Sequence, residues 1–409
     1  MSNDNLSAGS IMLDRLGNSI AIIKGKKPSV INLEPISDSA LPYILIESFG
    51  GKYRQFTDDA TCKRAYEDDV LLVWDGERAG LSSYGHSGYI GSTLAAIRVK
   101  DTKLKPNYLF RIFEKEREWL RGNSEGTGVP HLSRWAVENI IYFKPPLPEQ
   151  QKIATILSSV DDVIEKTRAQ IDKLKGLKTG MMQELLTKGI GHTEFKNSSL
   201  GVIPSSWDVV ELGVVGKLER GKFSHRPRND PKFYGGNIPF LQTGDIPKKE
   251  PAITQFSQTL NESGLKVSKL FPAGTLVITI AATIGEIGIL EFDSCFPDSL
   301  VGITVNQQKA NSLFVLYVMR YLKSELEKLA PQTAQKNINL DILQPFQIPL
   351  PSLEEQELIA SSMSSVDARL DLLHQKLKRT QSTKKALMQD LLTGKVRVKL
   401  TDLDTEAAS

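Results

Sequence analysis

The chain has 409 residues, of which 40% are hydrophobic and 24% are charged, a composition typical of a folded protein with more than one domain. Its 51 basic and 48 acidic side chains leave a net charge of +3, which excludes a protein that coats nucleic acid without sequence preference. Cys62 and Cys295 have neither disulfide-framework nor zinc-site spacing, and no apolar run reaches the roughly 18 residues of a membrane span. The first residues also lack a signal-peptide pattern, so we expect a cytoplasmic protein without disulfides.

The first 146 residues carry the short apolar runs and turn residues that predict strands. Residues 69–74 and 93–97 are such runs, separated by a glycine-bearing turn, and residues 108–121 have helical spacing. A polar loop follows this helical stretch. We therefore predict a first mixed α/β domain that spans residues 1–146.

Residues 147–194 predict the first long helix and a linker. Pro148 stands at the start, where proline is tolerated, and no further proline interrupts the segment before Gly189, a residue type that commonly ends helices. At a rise of about 1.5 Å per residue, a helix of roughly 40 residues is about 60 Å long.

Residues 195–350 repeat the order of the first region with different residues. The apolar runs at 274–279 and 300–304 correspond to the two runs named above, and residues 313–329 form the corresponding helical stretch. The loops between these landmarks differ almost everywhere. A shared scaffold with altered loops is expected when two domains bind different targets, so we predict a second mixed α/β domain over 195–350.

Residues 351–396 predict the second long helix, and residues 397–409 a flexible tail. The two helical segments are copies of one sequence, because Glu149 matches Glu355 and later positions keep the same offset without a gap. An ungapped match is what a continuous helix requires, since an insertion would rotate every later side chain.

Apolar side chains recur in both helices in alternating steps of four and three residues, which is coiled-coil spacing. A domain of about 150 residues is about 38 Å across, too short to cover such a helix, so we predict that the helices pack against each other. We favour an antiparallel pair, because a parallel one would bring the matched lysines Lys178 and Lys384 together. The predicted seam consists of Ile153, Leu157, Val160, Ile164, Ile171, Leu174, Met181, Leu185, Ile359, Met363, Val366, Leu370, Leu373, Leu377, Leu387 and Leu391.

Basic side chains cluster in the loops, above all at residues 217–232, where seven lysines, arginines and histidines stand against two acids. Such side chains contact phosphates and base edges, and the interleaved Phe223, Phe233 and Tyr234 are candidates for base stacking. A solvated surface charge is the alternative interpretation of each basic residue.

Two polar loops at residues 126–131 and 332–337 occupy corresponding places, and each leads to a possible helix cap, Ser133 or Asn339. Together with the basic clusters they predict a DNA-binding surface. The candidate DNA-contacting residues are Lys24, Lys26, Lys27, Arg78, Thr127, His131, Arg220, Lys222, His225, Arg226, Arg228, Thr283, Gln335, Lys336 and Asn337.

The sequence lacks the motifs of an enzyme that acts on nucleic acid. It has no Gly-x-x-x-x-Gly-Lys-Ser/Thr loop, and its one Pro-Pro pair follows Lys144 instead of the Asn or Asp of an amino-methyltransferase motif. The pair Pro297-Asp298 could begin a nuclease motif, but no acidic-x-Lys follows before Asp341. The five histidines lack the spacing of metal ligands. We expect a non-catalytic chain with no metal or cofactor of its own.

Three features together resemble the specificity subunit of type I restriction-modification systems. They are the paired PLP…EQ…IA…SSVD helices, the run IPSSW at residues 203–207 and the run AATIGEIG at residues 281–288. The likeness covers nearly the whole chain, although the first half lacks a matching Ile-Pro-x-x-Trp run.

The resemblance implies an α+β fold of two mixed α/β target-recognition domains in pseudo-two-fold arrangement, joined by two long helices packed as an antiparallel coiled coil. Each domain would read one half of a split, asymmetric site in double-stranded DNA, and the helices would set the gap. The resemblance also implies partners: two methyltransferase (modification) subunits and the restriction/translocase subunits. S-adenosylmethionine, ATP and Mg are expected in those partner subunits.

Two alternatives remain open at this point. The chain could serve a methylation-only or other phage-defence complex, which would contain no helicase-nuclease partner. It could also be a coiled-coil assembly scaffold without a DNA role, which would show no sequence preference.

Overall fold

The computed structural model describes residues 12–126, 128–248, 250–281, 283–331 and 337–400. The chain divides into two compact units, Met1–Arg168 with Lys376–Ser409, and Ala169–Gln375. The sequence predicted the helices as separate spacer segments at 147–194 and 351–396. In the structure each unit instead includes part of both helices, because the helix ends pack into the globular cores.

Short strands and helices form the globular part of the first unit. The strands are β1 Leu13–Arg15, β2 Ile20–Lys24, β3 Leu41–Ile44, β4 Phe56–Thr57, β5 Arg64–Ala65, β6 Val70–Val73, β7 Ser82–Ser83, β8 Gly88–Ile90, β9 Leu94–Val99, β10 Ser124–Glu125, β11 His131–Leu132 and β12 Ile141–Phe143. The helices are α1 Leu16–Ser19, α2 Pro106–Lys115, α3 Arg117–Gly122 and α4 Arg134–Glu138.

Two four-stranded sheets build this unit, in the orders β2-β9-β6-β7 and β4-β3-β8-β5. The central strand β6 is buried on both faces, as its continuous apolar run predicts. Val70 and Leu72 pack toward α2, whereas Leu71 and Val73 pack toward Ile90 of the other sheet. The loops at the ends of β2 and β6 are therefore carried by a rigid double layer.

The first long helix, α5 Leu147–Thr187, connects the two globular parts. The strands that follow are β13 Phe195–Ser198, β14 Gly201–Pro204, β15 Asp208–Glu211, β16 Gly216–Arg220, β17 Tyr234–Phe240, β18 Ala252–Ile253, β19 Gln258–Leu260, β20 Leu270–Phe271, β21 Leu276–Thr279, β22 Ile287–Leu290, β23 Ser294–Cys295, β24 Leu300–Val305 and β25 Gln347–Leu350. The short helices are α6 Leu212–Val215, α7 Glu262–Lys266, α8 Ser312–Tyr321, α9 Lys323–Lys328 and α10 Leu340–Leu343, and the second long helix is α11 Leu353–Leu391.

The second unit repeats the topology of the first. Its sheets have the orders β16-β24-β21-β22-β18 and β19-β17-β23-β20, so β21 holds the central place of β6. The register is also shared: Val70 pairs with Ile97 in the first unit, and Leu276 with Ile303 in the second. The predicted correspondence between the apolar runs is therefore correct down to the paired residues.

The two stretches predicted as single helices, 108–121 and 313–329, are each broken in two. The break falls at Glu116 between α2 and α3 and at Leu322 between α8 and α9, where ψ turns to 10° and 9°. Neither glycine nor proline marks these breaks, so no local pattern predicts them.

A glutamine side chain fixes the start of each long helix in the same way. Gln150 donates from Nε2 to the carbonyl oxygens of Pro145 at 2.8 Å and Lys103 at 2.9 Å, and its Oε1 accepts the Lys105 N–H at 2.9 Å. The corresponding Gln356 makes the same three kinds of contact in the second unit. This glutamine clamp (Gln150 or Gln356) explains the repeated Glu-Gln pair, because a fully buried amide needs all its partners.

Within each unit, α5 and α11 run in opposite directions. In the first unit Asp161 of α5 contacts Lys384 of α11 at 2.6 Å, while the earlier Glu149 contacts Arg397, which follows α11. In the second unit the seam lysine Lys178 pairs with Asp367. The prediction of an antiparallel helix pair is confirmed.

None of the apolar seam residues is exposed. The buried ones are Ile153, Leu157, Ile164, Ile171, Ile359, Met363, Val366, Leu370, Leu373 and Leu391. The half-buried ones are Val160, Leu174, Met181, Leu185, Leu377 and Leu387.

The segment after each long helix folds onto the start of the other one. Arg397 donates to both oxygens of the buried Glu149, at 2.8 and 2.6 Å. The matching Glu355 accepts from Trp207 Nε1 and contacts His192 Nε2, both at 2.9 Å. The flexible tail was therefore predicted to begin too early, since residues 397–400 are attached to the first unit; residues 401–409 lie outside the described residues.

Candidate nucleic-acid interface

Side chains from two other strands of the first unit contact Asp75, which follows the end of β6. Lys24 at the end of β2 lies 2.7 Å from its Oδ2, and His131 of β11 lies 2.8 Å from its Oδ1. Burial alone raises the pKa of Asp75, but hydrogen bonds from His131 and Lys24 outweigh burial and hold that pKa below its usual range. Lys24 also lies 5.3 Å from the Trp74 ring centroid. Two candidate DNA-contacting side chains, Lys24 and His131, thus contact one carboxylate.

The remaining candidates of the first unit lie around this cluster. Lys26 donates to the Thr61 hydroxyl at 3.1 Å, and the side chains of Lys27 and Arg78 are exposed. Thr127 lies outside the described residues.

Three arginines of the second unit converge on Asp298 in the same manner. Arg228 Nη2 lies 2.5 Å from Asp298 Oδ1, and Arg226 Nη2 lies 3.8 Å from Oδ2. Arg220, at the end of β16, donates from Nε to the Asp298 carbonyl oxygen at 3.1 Å. Gly221 after it, like Gly25 after Lys24, passes so close to a neighbouring turn that a Cβ would clash with backbone carbonyls.

Two further candidates of this loop point in different directions. The Lys222 side chain is exposed, whereas His225 is half-buried, 4.5 Å from the Phe233 ring and 3.5 Å from Asp230. His225 is therefore partly a packing residue.

The predicted stacking role of Phe223 and Phe233 is wrong. Both rings are buried, at 3% and 6% exposure, in a cluster with Phe240 beneath the loop. Only Tyr234 is half-buried, and its hydroxyl donates to the Arg228 carbonyl oxygen. These aromatic side chains hold the loop in place rather than offering a face to bases.

The two polar loops meet the sheets at equivalent positions. His131 forms an isolated bridge with Asp75, and Asn337 forms one with Ala281 at the matching place of the second unit. Thr283 is exposed nearby, while Gln335 and Lys336 lie outside the described residues.

The two predicted helix caps have different outcomes. The Asn339 side chain accepts the Ile342 N–H and caps α10. Ser133 precedes α4 but its side chain makes no capping hydrogen bond, so that prediction is wrong.

Sequence reasoning missed the two aspartates that organise these clusters. Asp75 was passed over, and Asp298 was considered only as a possible nuclease residue. No spacing signal could have found them, because Arg228 and Asp298 are 70 residues apart. Among the described residues, no group of histidine, cysteine and acidic side chains could hold a metal ion. In the same ranges, no helix is long and apolar enough to cross a membrane.

Two loop clusters rich in basic side chains on one duplicated frame are typical of a two-domain recognition protein, and comparison with known proteins gives its family. The family model of the type I restriction modification DNA specificity domain matches twice, at residues 12–175 and 204–380. The type I restriction enzyme MjaVIII specificity subunit of Methanocaldococcus jannaschii is 33% identical over 405 residues, which cover 94% of this chain and 92% of the relative. The putative MjaX specificity subunit of the same organism is 31% identical, over 76% of this chain and 72% of the relative.

A solved structure shares the fold. The S subunit of the type I restriction-modification system from M. genitalium superimposes with a TM-score of 0.62 at 14% identity, over 98% of this chain and 100% of that chain. This chain belongs to the family of type I restriction-modification specificity subunits. The resemblance found in the sequence is thereby confirmed, and a scaffold without a DNA role is excluded.

Proposed function

We propose that each unit reads one half of a split, asymmetric DNA sequence through its own loop cluster. The observation that carries the proposal is the placement of different side chains at matching positions of one frame. Lys24 of the first unit corresponds to Arg220 of the second, and His131 corresponds to Asn337. Side chains of different hydrogen-bonding character read different base edges, so the halves would recognise different sequences.

We infer that the long helices set the distance between the two half-sites. The 41 residues of α5 correspond to a rod of about 60 Å at about 1.5 Å per residue. A paired helix of this length is stiffer than a loop linker, which supports its use as a spacer.

We infer that the chain is the non-catalytic member of its complex. Two methyltransferase subunits would dock on the exposed faces of the helices, and restriction/translocase subunits would join them. S-adenosylmethionine, ATP and Mg would be bound by those partners, which agrees with the absence of a nucleotide-binding loop from the sequence. Affinity purification of the tagged chain from its host tests this partner set, and recovery of methyltransferase alone would point to a methylation-only complex. Localisation in the cytoplasm, where such a complex meets incoming DNA, stays a prediction.

Exchange of one recognition domain tests the half-site assignment. Residues 1–146 are replaced by the first domain of another family member, and methylated sites are mapped by sequencing the host genome. We expect one half of the methylated sequence to change while the other half and the gap stay constant. The reciprocal exchange of residues 195–350 is the control and should change the other half. Alteration of both halves by a single exchange would contradict the proposal.

A further inference from the structure

Asp298 stands on a turn that is anchored on several sides. Leu300 N–H donates to the Pro297 carbonyl oxygen at 3.1 Å, and Ile280 N–H donates to that of Ser299 at 3.1 Å. Gly221 packs against the same turn, where a Cβ would lie 2.3 Å from the Pro297 oxygen. Asp298 therefore lies on a turn that is anchored to the sheets, outside the loop at residues 221–233 that carries Arg228.

Arg228 lies in the loop at residues 221–233, and its guanidinium contacts the Asp298 carboxylate. Within the described ranges its guanidinium contacts Asp298 through one nitrogen, Nη2 to Oδ1 at 2.5 Å, and the side chain is 44% exposed. Its backbone is fixed as well, because the Tyr234 hydroxyl donates to its carbonyl oxygen. Arg226 differs, since its Nη1 donates to the Phe223 and His225 carbonyl oxygens at 2.7 and 2.9 Å. These hydrogen bonds hold the backbone of the loop.

The fold does not explain this ion pair. Arg228 and Asp298 are both 44% exposed, and exposed pairs contribute little to stability, about 0–1 kcal/mol. A carboxylate within a basic cluster would also repel DNA phosphates, so the pair is ill suited to a surface that binds only the DNA backbone. A role in reading bases accounts for both features.

We propose that Asp298 is a positioning residue that presents Arg228 to a guanine in the second half-site. This proposal rests on the proposed function of the second unit. Guanine offers O6 and N7 as two acceptors in the major groove, and a planar guanidinium matches both with parallel N–H groups. A carboxylate that already holds one edge of the guanidinium removes rotational freedom before DNA arrives. The local neutrality of the pair also weakens the attraction of Arg228 to phosphates.

The test uses the full chain and the recognised sequence that methylation mapping provides. Duplexes are prepared in which each guanine of the second half-site is replaced in turn by 7-deazaguanine, which lacks N7. We expect one such duplex to bind the wild-type chain about tenfold more weakly. Arg228→Ala should bind the unmodified duplex about as weakly and should be insensitive to that same replacement. If no 7-deazaguanine effect depends on Arg228, the proposal is overturned.

Asp298→Asn separates positioning from simple charge. We expect about three- to tenfold weaker binding to the recognised duplex and stronger binding to a random-sequence duplex, because Arg228 becomes free to contact phosphates. Asp172→Asn is the matched control, since it makes the same charge change at a 77% exposed helix position. It should not weaken binding to the recognised duplex while strengthening binding to the random one. Equal tightening of both duplexes by Asp298→Asn would overturn the positioning role. A wild-type chain that does not distinguish the recognised duplex from the random one would instead contradict the proposed function itself.

Discussion

The seam lysine Lys178 is enclosed with its partner. The exposed fractions of the Lys178 and Asp367 side chains are 18% and 9%. Tyr317 donates its hydroxyl to Asp367 at 2.8 Å, and burial followed by the charge of Asp367 raises the pKa of Tyr317, so this hydroxyl stays protonated. Lys178 and the neutral Tyr317 hydroxyl thus both contact this carboxylate, and the charge of Arg320 also acts on it.

We predict that Lys178→Met lowers the free energy of unfolding by about 2 kcal/mol, because the enclosed Asp367 carboxylate would lose its ammonium partner in the seam. Chemical denaturation measures the change. Lys188→Met is the matched control: Lys188 also pairs with a carboxylate, Glu184, but at 61% and 59% exposure, so its loss should amount to less than about 0.5 kcal/mol. Equal effects of the two substitutions would show that the seam pair does not stabilise the fold.

Lys144, which follows β12, contacts two carboxylates of the first unit: its Nζ lies 2.6 Å from Asp14 of β1 and 2.6 Å from Asp101, which follows β9. Hydrogen bonds from Lys144 hold the pKa of each carboxyl below its ordinary value of 3.8. A pKa that is lower in the folded than in the unfolded chain gives stability that is complete above the unfolded pKa and is lost as pH falls through the folded pKa.

We therefore predict that acid weakens the wild-type fold more steeply below about pH 4 than it weakens Lys144→Met. Urea unfolding over a series of pH values gives the two slopes. A variant as acid-sensitive as the wild type would show that these carboxylates owe their lowered pKa to other groups.

Single residues could be assigned from the sequence where the signal is local. The seam residues follow from spacing along one helix, and none of them is exposed. The contacts of the loop residues do not follow from local spacing. Arg228 contacts Asp298, which is 70 residues away in the sequence and is brought near by the fold of the sheets. The stacking role predicted for Phe223 was wrong for the same reason, because the burial of its ring beneath the loop depends on tertiary contacts.

At the scale of elements, periodicity was sufficient for the long helices and for the apolar core strands. The helices were expected at about 40 residues and have 41 and 39. Sheet order was not accessible, because parallel pairs such as β3 with β8 join strands about 45 residues apart through no local pattern. Breaks such as that at Glu116 are not marked by glycine or proline, so periodicity alone could not place them.

The helix pair allows the spacer hypothesis to be tested without disturbing the seam. We predict that one heptad inserted after Arg168 in α5 and another after Gln375 in α11 widens the gap between half-sites by about 3 base pairs, since seven residues add about 10 Å and a base pair rises about 3.4 Å. Methylation mapping reads the gap directly. A heptad in α5 alone is the control, and it should destabilise the chain because the seam residues lose their partners. An unchanged gap in the doubly extended, folded chain would refute the spacer role.

At the scale of the whole molecule, the last part of the chain completes the first unit. Leu391 and Leu392 are 5% and 3% exposed and pack with Ile153 in the core of that unit. Arg397 neutralises the buried Glu149. The end of α11 and the residues that follow it therefore complete a core whose other members precede residue 169.

We predict that deletion of residues 387–409 destabilises the first unit selectively, because it removes apolar burial and leaves the Glu149 carboxylate unpaired. Hydrogen exchange should show loss of protection in β6 and β9 with protection retained in β21 and β24. Deletion of 401–409 alone is the control and should leave both patterns unchanged. Equal loss in both units would mean that they unfold as one.

The glutamine clamp determines which groups of the preceding domain each long helix must contact. Among the described residues, the side chains of Gln150 and Gln356 hydrogen-bond to backbone groups, at Lys103, Lys105 and Pro145 or at the matching Lys309, Asn311 and Pro351. Backbone groups are common to all amino acids, so a helix of this kind accepts any domain with the same chain path at those points, whatever its side chains. Genetic recombination that replaces one domain would therefore change the DNA specificity in a single crossover, without any change at the contacts between domain and helix.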